Sequence, residues 1–149
     1  MILELGPGIH RSGDTDIAID KSPDAQAEII RDFAKRGIPF NENYFDEVRC
    51  YDVIEHIEDY EDLIFLFNEI YRVLKPNGIF HFTTPDGILI GLDHLTHHRA
   101  FTQGSFHYLT DDGRAEFNFM RKSDGIECNF RLEFISRKGQ IEGKFYAVK

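Results

Sequence analysis

The 149-residue sequence predicts an α/β domain built on a doubly wound, mixed sheet. Three observations predict it. Short apolar runs bounded by turn residues recur through the first half, as parallel strands do. One strongly amphipathic helical pattern separates the fourth run from the fifth. Beyond residue 114, apolar and polar residues alternate between Gly-containing turns, the pattern of antiparallel hairpins.

The first strand is expected at Ile2 to Leu5, ending in Gly6-Pro7-Gly8, and the second at Asp16 to Asp20, closed by Lys21-Ser22-Pro23. Glu28 to Ile30 is the third, ending at Asp32, and Phe45 to Tyr51 the fourth. A helix is predicted over Tyr60 to Leu74, where Leu63, Leu66, Phe67, Ile70, Val73 and Leu74 share one face. Asp59 can cap its start, and Lys75-Pro76-Asn77-Gly78 stops it. Ile79 to Thr83 is the fifth strand. A Gly- and His-rich stretch follows, then a short helix that Thr102 can cap. Ala115, Phe117 and Phe119, then Phe130, Leu132 and Phe134, read as antiparallel strands before a last one at Ile141 to Val148.

No linker splits the chain, so one domain is expected over residues 1–149: a ligand-binding half at 1–85, and at 86–149 a loop, a short helix and antiparallel strands. The net charge of −9 argues against a nucleic-acid partner. Cys50 and Cys128 lack metal or redox spacing, which fits a reducing compartment. The opening Met1-Ile2-Leu3-Glu4 has no basic-then-apolar pattern, and the longest apolar run, Leu63 to Phe67, is too short to span a bilayer. No membrane partner and a cytoplasmic location are therefore expected.

Several residues can carry chemistry. Gly6 and Gly8 directly follow a strand and permit a tight turn whose backbone approaches a ligand. Arg11 occupies the third-glycine place of a dinucleotide fingerprint, and Glu4 offers a carboxylate suited to an ammonium group rather than a pyrophosphate. Asp20, ending the second strand, can accept bonds from both hydroxyls of a ribose, or can simply form the turn. Asp32-Phe33 offers a carboxylate and an aromatic face to a purine. Asp93, His94, His97 and His98 lie within six residues, with His107 further on. Such a set suits a divalent metal or the polar lining of a pocket.

These blocks, in order, resemble the class I methyltransferases that use S-adenosylmethionine, and specifically the small type 11-like members. Leu3-Glu4-Leu5-Gly6-Pro7-Gly8 is similar to their first motif and Ile17-Ala18-Ile19-Asp20 to their second strand. Glu28 to Asp32 with Ile38-Pro39-Phe40 resembles the adenine segment. Phe45 to Val48 leading to Val53-Ile54-Glu55-His56-Ile57 is similar to the fourth strand and its exit. The resemblance covers residues 2–85 and implies a Rossmann-like fold with S-adenosylmethionine as cofactor. It implies that Glu4, Gly6, Pro7 and Gly8 hold the methionine part, Asp20 and Lys21 the ribose, and Asp32 with Phe33 the adenine. Cys50 and Tyr51 would close over the sulfonium, and His56 would sit near the methyl group as a base or as a capping or core histidine. The loop Asp93 to Thr102 is similar to one beside the family's substrate mouth. His94, His97, His98 and Phe101 are therefore expected to line a substrate pocket, with no metal.

The chain departs from that pattern in its connections. Only Ile9 to Asp16 joins the first turn to the second strand, and only Ser22 to Ala27 leads to the third, both too short for helices. One sheet face should then be bare and apolar, covered by the C-terminal hairpins or by a second copy in a homo-oligomer, most simply a dimer. The reading is methyl transfer to a small-molecule acceptor. The alternative is a non-catalytic cofactor-binding or interaction module, and a nicotinamide oxidoreductase fits less well.

Overall fold

A parallel sheet needs its strands aligned by connections that run outside the hydrogen-bonding plane, and here those connections are unequal. The structure, a computed structural model, describes residues 1–87, 91–111 and 113–149. Its strands are β1 (Ile2–Leu5), β2 (Ile17–Asp20), β3 (Ile29–Ile30), β4 (Phe45–Tyr51), β5 (Leu74–Pro85), β6 (Phe130–Arg131), β7 (Phe134–Arg137) and β8 (Gln140–Ala147). The helices are α1 (Phe33–Arg36), α2 (Tyr60–Val73) and α3 (Ala115–Ser123), with 3-10 turns at Ile54–His56 and Gln103–Leu109. The strand order is β3-β2-β1-β4-β5-β8-β6, with β7 also pairing β8. The first five strands are parallel, and β8 runs antiparallel to β5. This is the Rossmann-like order of a mixed doubly wound sheet, and it reverses between β1 and β4.

Register rows across the sheet separate the faces. Leu3, Val48, Phe80 and Phe145 are successive neighbours, as are Cys50, Phe82 and Gly143, and the side chains of these rows form the core. The buried stripe of α2, comprising Leu63, Leu66, Phe67, Ile70 and Val73, lies on this side, with Phe67 6.1 Å from Phe80. Each such buried side chain contributes about 1.5–3 kcal/mol. Phe106, from the second 3-10 turn, packs 4.8 Å from Phe82 and 5.7 Å from Phe145, so the aromatic core continues into the antiparallel end.

The other face is polar, which corrects the expectation of an apolar patch. Glu4, Arg49, His81 and Lys144 are neighbours in one row, and Tyr51, Thr83 and Glu142 in the next. Asp14 and Glu47 both bind Arg49, at 2.5 and 2.7 Å. Tyr51 Oη lies 3.0 Å from His81 Nδ1, His81 Nε2 lies 2.8 Å from Glu142, and Glu142 pairs with Arg137. Period-2 alternation gives these strands one apolar and one charged face, so the stated reason for a covering second copy is gone.

Three local expectations also change. Residues 115–123 form a helix rather than a strand. Ala, Glu, Met, Arg and Lys favour helix there, and Phe119, 75% exposed, does not face the core. The helix is anchored by the buried Arg121, which donates to the carbonyls of Tyr108 (2.9 Å) and Cys128. Asp59 precedes α2 without a side-chain bond to its amides. Strand β5 begins at Leu74, because that residue pairs with Phe45 across a register shift. Thr102 does begin the second 3-10 turn, its N–H donating to Ser105 Oγ at 3.1 Å. Within the Gly- and His-rich stretch, residues 88–90 lie outside the described residues.

Two predictions test this packing. A Cβ on Gly143 would lie 2.4 Å from Phe82 Cε1 and 2.9 Å from Phe145 Cε1. Gly143→Ala should therefore cost about 1–3 kcal/mol by overpacking. Gly13→Ala, with nothing near its Cβ position, serves as control; equal melting curves for the two variants would refute the assignment. On α2, Glu69 accepts from Ile38 N (2.8 Å) and from Arg72, and Arg72 donates to the carbonyls of Ile38 and Phe40. The Arg72 guanidinium holds the Glu69 carboxyl below its ordinary value. Its contribution is thus present above the unfolded value near 4.5 and is lost as pH falls through the lowered folded value. Glu69→Gln should destabilise at pH 7 and converge on the wild type at low pH. A gap that stays constant with pH would contradict this.

Candidate functional site

The carboxyl ends of β1 and β4 diverge where the strand order reverses, and loops from both ends wall a crevice there. It has a volume of about 610 Å³, within the range of small-molecule sites. Its floor is Gly6, which stands at φ +68° with its N–H bonded to the Ile19 carbonyl at 2.9 Å. A Cβ at this position would meet Val53 Cγ2 at 2.6 Å, so the turn needs glycine for both its conformation and the close approach of Val53.

Asp20 closes one side. It is 7% exposed, and its two carboxylate oxygens accept from Gly8 N (3.0 Å) and Ser22 N (2.8 Å). A carboxylate has about four acceptor positions, so room for two further donors remains. Asp20 is therefore both a turn-former and a group on the crevice wall. Lys21, Asp32 and Phe33 extend this wall. Asp32 also caps α1, accepting from Lys35 N at 3.3 Å.

The opposite wall comes from the exit of β4, two residues later than the sequence reading placed it. Asp52, Val53, His56 and Ile57 line the crevice. Cys50 and Tyr51 do not. The Cys50 side chain is buried in the core, where burial pushes its thiol far above the ordinary value. Tyr51 lies on the polar face, bonded to His81, with its hydroxyl pushed up to about 12, chiefly by burial. Asp52 reaches the crevice because it adopts φ +53° and is held by Thr83 Oγ1 at 3.0 Å. The usable signal was its position just beyond β4, at the switch point.

Glu4 is likewise outside the lining. It belongs to the polar face, where Oε2 accepts from Ser12 N (3.0 Å) and Thr15 Oγ1 (2.7 Å). Pro7 and Gly8 continue the turn beyond Gly6, with Gly8 N fixed by Asp20.

Of the histidine loop, Thr96 and His98 reach the crevice. Phe101 does not, because its ring stacks on Phe106 at 5.4 Å within the core. The rings of His56, His94 and His97 cluster instead, with centroids 4.7 to 6.0 Å apart. His56 Nδ1 lies 3.1 Å from the Thr96 carbonyl, and burial holds its imidazole below the ordinary value, favouring the neutral form at pH 7. The loop is tied down by His98 N to the Glu55 carbonyl (2.9 Å) and by Arg99 Nε to that of Ile57 (3.0 Å). No helix among the described residues is long and apolar enough to cross a membrane.

Residues 13–82 match the family described as a methyltransferase domain. No curated protein matches the chain. Among solved structures it is similar to an S-adenosylmethionine-dependent methyltransferase from Archaeoglobus fulgidus, at 12% identity and a TM-score of 0.66, covering 97% of this chain and 85% of the other. One from Mesorhizobium loti is 15% identical, with a TM-score of 0.60 and coverage of 97% and 89%. A protein from Pyrococcus horikoshii is 18% identical, with a TM-score of 0.61 and coverage of 99% and 82%. The matched segment begins after β1 and its glycine turn and ends within β5, and the fold likeness extends over nearly the whole chain. The chain therefore shares the fold of these S-adenosylmethionine-dependent methyltransferases, and its residues 13–82 resemble the methyltransferase domain.

Proposed function

We propose that the crevice binds S-adenosylmethionine and that the chain transfers its methyl group to a small-molecule acceptor. The observation that carries this reading is the charge of the crevice: six carboxylates and two lysines line it. A negative cleft attracts a cofactor bearing a sulfonium and an ammonium, and repels the pyrophosphate of a nicotinamide dinucleotide. In this reading Gly6, Pro7 and Gly8 take the methionine part against their backbone. Asp20, beside Lys21, accepts from the ribose hydroxyls with its remaining lone pairs, and Asp32 with Phe33 takes the adenine. Asp52 and Val53 close over the sulfonium side in place of Cys50 and Tyr51. Glu4 supports the turn from behind by holding Ser12 and Thr15.

The sulfonium is already a strong electrophile, so most of the acceleration comes from aligning an acceptor for in-line attack. The acceptor enters beside His56, Thr96 and His98, the wall opposite the ribose carboxylate.

Calorimetric titration with S-adenosylmethionine, its demethylated product and NAD tests the reading. The first two should bind and NAD should not; binding of NAD alone would overturn it. Charge-assisted bonds to two hydroxyls contribute about 1.5–3 kcal/mol each, so Asp20→Ala should weaken cofactor binding by roughly a hundredfold or more. It should also lower the melting temperature, because Gly8 N and Ser22 N lose their acceptor. Binding is therefore measured well below that transition. Asp20→Asn, which keeps one acceptor oxygen, should be milder. An unchanged affinity in Asp20→Ala would reduce Asp20 to a turn-former, and tight cofactor binding without transfer would favour the non-catalytic module.

A further inference from the structure

Glu55 presents a problem that the cofactor reading leaves unsolved. It is 1% exposed, at the 3-10 turn after β4. Its Oε2 accepts from Thr84 Oγ1 at 3.1 Å, whereas Oε1 is buried with no hydrogen-bond partner. An unmatched buried polar atom costs about 1–3 kcal/mol, and more when it is charged. Two imidazoles lie beside it, and each has one nitrogen already fixed. His56 Nδ1 is 3.1 Å from the Thr96 carbonyl, and His97 Nδ1 is 2.7 Å from the Gly91 carbonyl. A carbonyl oxygen only accepts, so His97 Nδ1 carries the hydrogen and its Nε2 keeps a lone pair; His56 Nδ1 also meets the Thr96 hydroxyl at 3.0 Å, and its Nε2 keeps a lone pair in the tautomer that donates to the Thr96 carbonyl.

We propose that Glu55, His56 and His97 form a divalent transition-metal site of the zinc type beside the crevice, which His56 lines, with an open position for an oxygen of the acceptor. One ligating atom from each residue lies within 4.8 Å of the others. Bonds of about 2.0–2.2 Å bring such atoms to roughly 3.4 Å of one another, so the side chains close by about an ångström on binding. Two imidazoles and one carboxylate are the ligand set of catalytic zinc sites, which keep a fourth position open. Imidazoles whose second nitrogen donates to a backbone carbonyl are the usual outer-shell arrangement of such ligands. The metal also meets the unmatched Glu55 oxygen. The two supporting segments are held together before any ion arrives, through the bonds from His98 N and Arg99 to the 55–58 turn. His94 stacks on His97 at 4.9 Å and stays outside the ligand set.

The role in transfer rests on the cofactor reading given above. An acceptor hydroxyl on the open position loses its proton to water, because the metal lowers its pKa. Its oxygen then forms the bond to the methyl carbon while the carbon–sulfur bond breaks, the electron pair going to sulfur. The products are a methyl ether, the neutral thioether of the cofactor and one proton. The acceptor class is thus a hydroxyl compound.

The test uses untagged, chelator-stripped protein without cofactor. Cobalt(II) is titrated and followed by its visible d–d absorption, and zinc(II) by calorimetry. One equivalent should bind, with the intense absorption of a four-coordinate site. Glu55→Gln, which keeps the Thr84 bond, and His97→Ala should each weaken binding by more than the roughly 10–100-fold cost of losing an outer-shell partner. His107→Ala, an exposed residue, should change nothing. Far-UV circular dichroism checks that both ligand variants remain folded. Failure to bind one equivalent, or wild-type affinity in both ligand variants, overturns the site and leaves the cofactor reading standing. Metal binding in a chain that binds no S-adenosylmethionine keeps the site and removes its role in transfer.

Discussion

The carboxylate of Asp20, shared between Gly8 N and Ser22 N, joins the turn after β1 to the turn after β2. Parallel neighbours are usually held by a helix packed across both, and here neither adjoining connection has one. Side-chain to backbone bonds take its place. Glu28 accepts from Ala18 N at 2.8 Å and pairs with Arg11, which also donates to the Thr15 carbonyl at 2.9 Å. Asp16 accepts from Ile2 N at 2.7 Å, and Gln26 N reaches the Gly8 carbonyl at 2.7 Å. The glycine turn is thereby fixed at the mouth of the crevice without a crossover helix behind it.

The same economy of connections decides what the two faces of the sheet look like. With all packing on one side, the core row Leu3, Val48, Phe80 and Phe145 must carry the apolar burial. The other side holds charge, and its residues satisfy one another from Asp14 through Arg49 and Glu47, and from Tyr51 through His81 to Glu142 and Arg137. Phe106 and Phe134 then thicken the core where β8 turns the sheet antiparallel, which fits a chain with 14 Phe and no Trp.

Most of the strand framework was legible, because short apolar runs ending in Gly or Asp leave few other readings. The helix α2 was legible because its stripe repeats over fourteen residues. What failed had a physical cause in each case. Ala115, Phe117 and Phe119 mimic a strand because two-residue spacing also occurs by chance on a partly exposed helix. Glu4 and Tyr51 point to the polar face, and strand alternation alone cannot tell which face a ligand will use. Phe101 follows a histidine loop in sequence but folds into the aromatic core. Glu55 was read only as part of a motif, since an unmatched oxygen is a property of three-dimensional burial. Asp20 lies on the crevice wall, and its two backbone partners emerge only once the turns are closed.

The central claim is that the switch-point crevice, not the polar face, is where this chain meets its cofactor. Amide chemical-shift perturbation on titrating S-adenosylhomocysteine into the labelled protein tests that most directly. The account predicts shifts concentrated at Gly6, Gly8, Asp20 to Ser22, Asp32, Asp52 and Val53, with the amides of His81 and Lys144 unmoved. Perturbations centred on His81, Glu142 and Lys144, or none at all at saturating ligand, would contradict it.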